Sequence, residues 1–214
     1  MAEKIKKKLQ DSREERYKLL ISARNFHYDN FSKWANYFYI AIGALFVAYY
    51  SIVTTPKDLF EKKLFSYVVL SLGFSCSLLW YWSSKGYYYW NINFISLVNN
   101  YESKILEWDK EERIYFVFAN KKTQNNYYAP WSGANISTSK IAILFSYIIT
   151  LSWGFLITYK ILTLRLCEDS GWTILLSIFV SICLILILSL LIPKYILYSK
   201  IDHFPDLELS QKEE

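Results

Sequence analysis

Charged residues vanish from four stretches of the chain, Trp34 to Pro56, Leu64 to Ser84, Ile141 to Tyr159 and Ser170 to Pro193, and crowd the segments between them. Each stretch is close to the ~20 apolar residues that a helix needs to cross a bilayer. A soluble domain would instead interleave its charges along every amphipathic helix or strand, because each needs a polar face. The pattern predicts an all-α integral membrane protein with four transmembrane helices.

The polar segments carry patterns of their own. From Ala2 to Tyr28, Ile5, Leu9, Leu20, Ala23 and either Phe26 or His27 recur on one side, which predicts an amphipathic helix ahead of the first span. After Lys85, the residues Trp90, Phe94, Leu97, Val98, Tyr101, Ile105 and Trp108 form a near-heptad stripe opposite Asn91, Asn99, Glu102 and Glu107. The second span is therefore expected to run on as a long amphipathic helix. The segment Arg113 to Ala119 is rich in β-branched and aromatic residues and reads as a short strand or as an extended segment lying on the helices. Asn125, Asn126, Pro130, Ser132 and Gly133 then mark a loop, and Ser137, Thr138 or Ser139 can cap the third span. The chain thus divides into an N-terminal amphipathic helix (1–30), spans one and two (31–84), a helix and loop region (85–140), spans three and four (141–194) and a tail (195–214).

The distribution of Lys and Arg adds an orientation. With four spans, the N-terminal segment, second loop and tail share one side and hold 19 basic residues, against 5 in the first and third loops. The positive-inside rule places both termini in the cytoplasm. The net charge of +5 is thereby a membrane signal and no indication of nucleic acid. The sequons at Asn30 and Asn135 fall on the cytoplasmic side and carry no weight. Aromatic residues, 19% of the chain, gather near span ends, at Trp34, Tyr37, Trp80 to Trp82, Tyr127 to Trp131 and Tyr195 to Tyr198 on the inner side, and Tyr49, Tyr50, Phe65, Trp153, Tyr159 and Trp172 on the outer. Rings with polar tips favour the headgroup region, so these read as belts.

Candidate chemistry is sparse. There is no phosphate-binding glycine loop, no HExxH, no nucleophile elbow and no histidine or cysteine cluster, which points to no catalytic, cofactor or metal site. Cys76 and Cys183 read as small packing residues and Cys167 lies in a short loop. His27 and His203 have no ligand partner at helical spacing, and the acidic run Glu107, Asp109, Glu111 and Glu112 reads as a solvated turn neutralised by Lys104, Lys110 and Arg113. No ionisable residue lies within a span, which disfavours a driven transporter. The spans do show small or hydroxylated residues four apart: Ala44 and Ala48, Ser71 and Ser75, Gly73 and Ser77, Ser146 with Thr150 and Gly154, Ser177 and Ser181. Such residues let helices approach closely.

Three stretches, ARNFHYDNFSKWANYFYIAIGALF from Ala23, GYYYWNINFISLVNNYESKIL from Gly86 and GANISTSKIAILF from Gly133, resemble the RipA-like octameric bacterial inner-membrane proteins. The resemblance implies a homo-oligomer, an octamer by family. The ring would use the helical stripes that no bilayer covers, so Leu20, Trp90, Phe94, Leu97, Tyr101, Ile105 and Trp108 are the candidate oligomer interface. A looser resemblance links the basic helix and following spans to SLATT-type effectors, which have two spans where four are expected here. The chain is thus expected to be a structural or scaffolding membrane protein, not an enzyme, with lipid and its own copies as partners. The alternative is a pore-forming or membrane-disrupting effector, lined by the hydroxyls of Ser71, Ser75, Ser146, Thr150, Ser177 and Ser181.

Overall fold

The computed structural model describes residues 2–56, 59–115, 127–128, 133–134, 136–166 and 171–197, with residues 2–7, 59 and 165–166 described by backbone alone. Four α-helices carry the described chain: α1 (Ala2–Thr54), α2 (Leu59–Lys104), α3 (Thr138–Leu166) and α4 (Gly171–Tyr195). A 3-10 turn, Lys110–Glu112, lies between α2 and α3. All four helices are long and apolar enough to cross a membrane. Arg113 to Tyr115 form a bend and turn, whereas Phe116 to Ala119 lie outside the described residues, as do Trp131, Asn135, Cys167, Tyr198 and His203.

The N-terminal amphipathic segment and the first apolar run form one unbroken helix of 53 residues. Likewise α2 passes through Gly86 without a break to reach Lys104, 46 residues in all. Both contain few helix breakers, and the apolar portion supplies the length that makes helix propagation favourable.

The chain forms two compact units, Met1–Trp153 and Gly154–Glu214, with the boundary inside α3. In the first unit α1 and α2 lie antiparallel. Tyr17 packs beside Tyr101, Tyr28 beside Asn91, Phe31 beside Tyr87 and Phe38 beside Trp80, so one helix advances as the other retreats. The covered positions on α1 alternate by four and three residues, through Tyr17, Ile21, Arg24, Tyr28, Phe31, Ala35, Phe38 and Ile42, and those on α2 do the same through Ser66, Leu70, Gly73, Ser77, Trp80, Ser84, Tyr87 and Asn91. A mean period of 3.5 residues keeps one seam facing its partner over many turns, the pattern of a left-handed coiled coil.

Two different forces hold this seam. Outside the apolar runs it is closed by burial of large side chains such as Val98, which is fully covered, and removing such a side chain from water stabilises by about 1.5–3 kcal/mol. Within the apolar runs lipid is as apolar as leucine, so close packing of small residues replaces the hydrophobic drive. Ser66, Ser77 and Ser84 are buried there, each hydroxyl returned to a carbonyl of its own helix. Gly73 is the tightest point: a Cβ added to it would lie 2.4 Å from the ring of Trp153 on α3. Trp153 is fully buried and also packs on Phe46 of α1 at a centroid distance of 4.3 Å.

The second unit is a hydroxyl-rich contact between the later half of α3 and α4. The Thr158 hydroxyl lies 3.1 Å from the Ser177 carbonyl and 3.1 Å from the Ser181 hydroxyl, while its own-helix carbonyl, Gly154, is 2.8 Å away. Its single proton therefore serves one carbonyl at a time. Thr173, Ser177, Ser181 and Ile185 form the buried stripe of α4.

Candidate functional site

The most elaborated polar site lies between the ends of α1 and α2 beyond their apolar runs. Glu102 is fully buried on α2 and its Oε1 accepts from the Tyr17 hydroxyl of α1 and, at 3.3 Å, from the Ile114 amide. Its Oε2 has no hydrogen-bond partner. Burial, and then the bond to Glu102, push the Tyr17 phenol well above its ordinary pKa. The Tyr17 ring is stacked with Tyr101 at 6.1 Å and meets Trp108 edge-on at 5.2 Å.

Two arginines fasten the turn that follows α2. Arg13 donates to the Ile105 carbonyl at 3.2 Å, and the Tyr101 hydroxyl returns a bond to the Arg13 carbonyl at 3.1 Å. Arg113 donates from Nε and Nη2 to the Trp108 carbonyl at 3.2 and 3.1 Å. The helix itself ends where Glu107 adopts a left-handed φ of 57°, with the Leu106 amide bonded to the Tyr101 carbonyl at 3.0 Å. The side chains of Glu107, Asp109, Glu111 and Glu112 are exposed.

Two turns further along the seam the network becomes aromatic. Arg24 donates to the Tyr115 hydroxyl at 2.9 Å and lies over the rings of Tyr28 and Tyr115 at 5.8 and 5.7 Å. The Tyr28 hydroxyl donates to Asn91 Oδ1 at 2.7 Å, and Asn91 Nδ2 donates to Ser139 of α3 at 3.4 Å. Burial first, then the Tyr115 hydroxyl, push the Tyr28 phenol up to about 12. His27 is stacked on Tyr87 at 5.1 Å and tilted against Phe94 at 5.2 Å, with its buried Nε2 lacking a partner. Burial lowers its pKa from 6.5, outweighing a backbone bond at Tyr87 that works the other way.

This geometry corrects one expectation. Asn91 and Glu102 were expected on the polar face of the 85–140 helix, opposite its apolar stripe; both instead turn into the seam, where the hydroxyls of Tyr28 and Tyr17 meet them. The candidate interface residues divide accordingly. Phe94, Tyr101 and Trp108 pack on His27 and Tyr17 within the chain, and Leu20 is half-buried. Trp90, Leu97 and Ile105 are 43%, 49% and 36% exposed. Of the two residues offered for the N-terminal stripe, His27 faces inward and Phe26 is 69% exposed. Sequence reasoning missed the Tyr17–Glu102 and Tyr28–Asn91 pairs. Their signal was available: a tyrosine hydroxyl on one amphipathic helix at the height of an acceptor on the other.

These contacts brace the ends of α1 and α2 against each other and against the turn that follows α2. Among the described residues no three His, Cys, Asp or Glu side chains come together as a metal site requires. A hollow of about 530 Å³ lies at the start of α3, lined by Tyr127, Ile136, Ser137, Lys140, Ile141 and Leu144. Of the six hydroxyls considered for a pore, Ser146, Thr150, Ser177 and Ser181 are buried within the chain with their hydroxyls bonded to their own helices, while Ser71 and Ser75 are exposed. Compared with known proteins, the chain matches a family model described as the octameric membrane protein family, 8xMP, over residues 14–162. No curated protein and no solved structure matches it.

Proposed function

The chain belongs to the octameric membrane protein family, and from that premise we propose that it is a homo-octameric scaffold of the bacterial inner membrane, without catalytic activity. Both termini face the cytoplasm in this reading, in keeping with the 19 to 5 division of basic residues. The braced ends of α1 and α2 then stand in the cytoplasm and join neighbouring copies through Trp90, Leu97 and Ile105.

The observation that carries the reading is how little of α1 the chain itself covers. Only 6% of the apolar window of α1 is buried, against 39% of that of α2. A helix whose outer surface is apolar both within and beyond its span has lipid available for the first part only. Outside the bilayer, Leu19, Phe26, Trp90 and Leu97 need a protein partner to leave water. The buried, self-bonded hydroxyls of α3 and α4 support packing over a conducting path.

The mass of the purified protein in lipid nanodiscs tests the assembly, with eight chains per particle expected and a single chain overturning it. Planar-bilayer recordings from the same preparation test the scaffold role. Steady unitary conductance would replace it with the pore reading.

A further inference from the structure

The register of the hairpin assigns the surfaces that meet between copies, and we infer that the outer face of α1 on one copy docks against the free flank of α2 on the next, head to tail. The inference rests on the octameric reading above and deepens it.

Three observations lead there. First, α1 and α2 each have an apolar surface outside their spans that the seam does not use. Leu19 and Phe26 follow the seam residues Tyr17 and Arg24 by two positions, roughly 200° around the helix, and so point away from α2; they are 70% and 69% exposed. On α2, Trp90 and Leu97 follow the seam residues Tyr87 and Phe94 by three positions, whereas Tyr81, which meets Tyr147 of α3 at 5.5 Å, follows Trp80 by one. Steps of one and three fall on opposite sides of a helix seam, so Trp90 and Leu97 occupy the flank away from α3.

Second, the two surfaces match in height. The seam pairs Tyr17 with Glu102, Tyr28 with Asn91 and Phe31 with Tyr87, which sets Leu97 level with Ser22 and Trp90 level with Asp29. Identical chains inserted in one bilayer are related by rotation about the membrane normal, so heights are the same in every copy. Along the contact, Leu19 and Phe26 of one copy therefore alternate with Leu97 and Trp90 of its neighbour, each step about 4.5–6 Å at a rise of about 1.5 Å per residue. Knobs from one helix fall between knobs of the other. Had the heights coincided, the large side chains would collide.

Third, the charge beyond the apolar part is complementary. Lys104, exposed on the same flank as Leu97, comes level with Glu15, which precedes Leu19 by one helical turn and is also exposed, with Arg16 beside it. A contact between two different surfaces repeats around a ring, whereas a contact of one surface with itself stops at a dimer. This supplies what an eight-membered closed assembly requires.

Disulfide-length crosslinking in native membranes tests the contact, in protein with Cys76, Cys167 and Cys183 replaced by alanine. Leu19→Cys with Leu97→Cys in one chain is expected to give a ladder of covalent species reaching eight chains, and each single variant no ladder. Phe26→Cys with Trp90→Cys reads the same register from the other end, so either pair decides if the other prevents assembly. An octameric mass without a ladder from either pair, or dimers from a single-cysteine variant, overturns the contact and leaves the octamer standing. A one-chain mass for the unmodified protein overturns the octamer itself, and the contact with it.

Discussion

The Tyr17 hydroxyl of α1 donates to the Glu102 carboxylate of α2 across 85 residues of sequence, and Glu102 is fully buried. Its other acceptor contact on that oxygen is the Ile114 amide, so the pair ties α1, α2 and the following turn together. Tyr17→Phe removes a donor from a buried carboxylate, and the expected loss is about 1–3 kcal/mol. Glu102→Gln in the Tyr17→Phe background should then cost less than in the parent, since the shared bond is already gone. Denaturant unfolding in detergent measures both; equal costs in the two backgrounds would show that the pair is not coupled.

Gly73→Ala places a Cβ within 2.5 Å of the Trp153 ring, a rigid and fully buried neighbour. Overpacking of this kind costs about 1–3 kcal/mol. Trp153→Leu, which opens the space, is expected to suppress part of that penalty, so that Gly73→Ala lowers the thermal midpoint less in the Trp153→Leu background than in the parent.

Thr158→Val deletes a hydroxyl that reaches from α3 to α4 while keeping the side-chain shape, and removes its contacts with the Ser177 carbonyl and the Ser181 hydroxyl. Interhelical hydrogen bonds in bilayers average about 0.6 kcal/mol, so the expected effect is small. A loss above about 2 kcal/mol would mean that the hydroxyl does more than bridge two helices.

His27 makes the hairpin acid-sensitive. Its folded pKa lies below the unfolded 6.5 because the imidazole is buried against Tyr87 and Phe94, and Arg24, one turn away, adds no counter-charge. The unfolded chain therefore binds the proton more readily, and stability present above pH 6.5 is lost as pH falls from there through the folded pKa. Unfolding midpoints taken between pH 8 and about 5 should decline in the parent and flatten in His27→Phe over that window. Parallel declines in the two proteins would assign the acid sensitivity to other groups.

Much of this was legible before any tertiary contact was known. Four uncharged runs give four helices, because a run that long in lipid must satisfy its own backbone bonds. The apolar stripe after Lys85 was visible as well, but its division was not. Periodicity near 3.5 marks a broad face and does not say which edge of it meets a neighbour, so Phe94 and Tyr101 could not be told from Trp90 and Leu97. Polar character misled at Asn91 and Glu102 for a related reason. A lone carboxylate reads as solvated unless a partner is known, and the partner lies on another helix.

What the sequence alone determined is therefore local and compositional: helix type, number and approximate length, the all-α membrane class, and the membership of a family through residues 14–162. Each follows from short stretches of chain responding to lipid or water. What only the tertiary structure decided is facing. The antiparallel register of α1 on α2 buries Glu102 and leaves Leu19, Phe26, Trp90 and Leu97 outside, and the placement of α3 on α2 seats Trp153 against Gly73. Those outcomes depend on which side chain arrives opposite which, across tens of residues, and a helical period cannot encode that until the two helices are placed side by side.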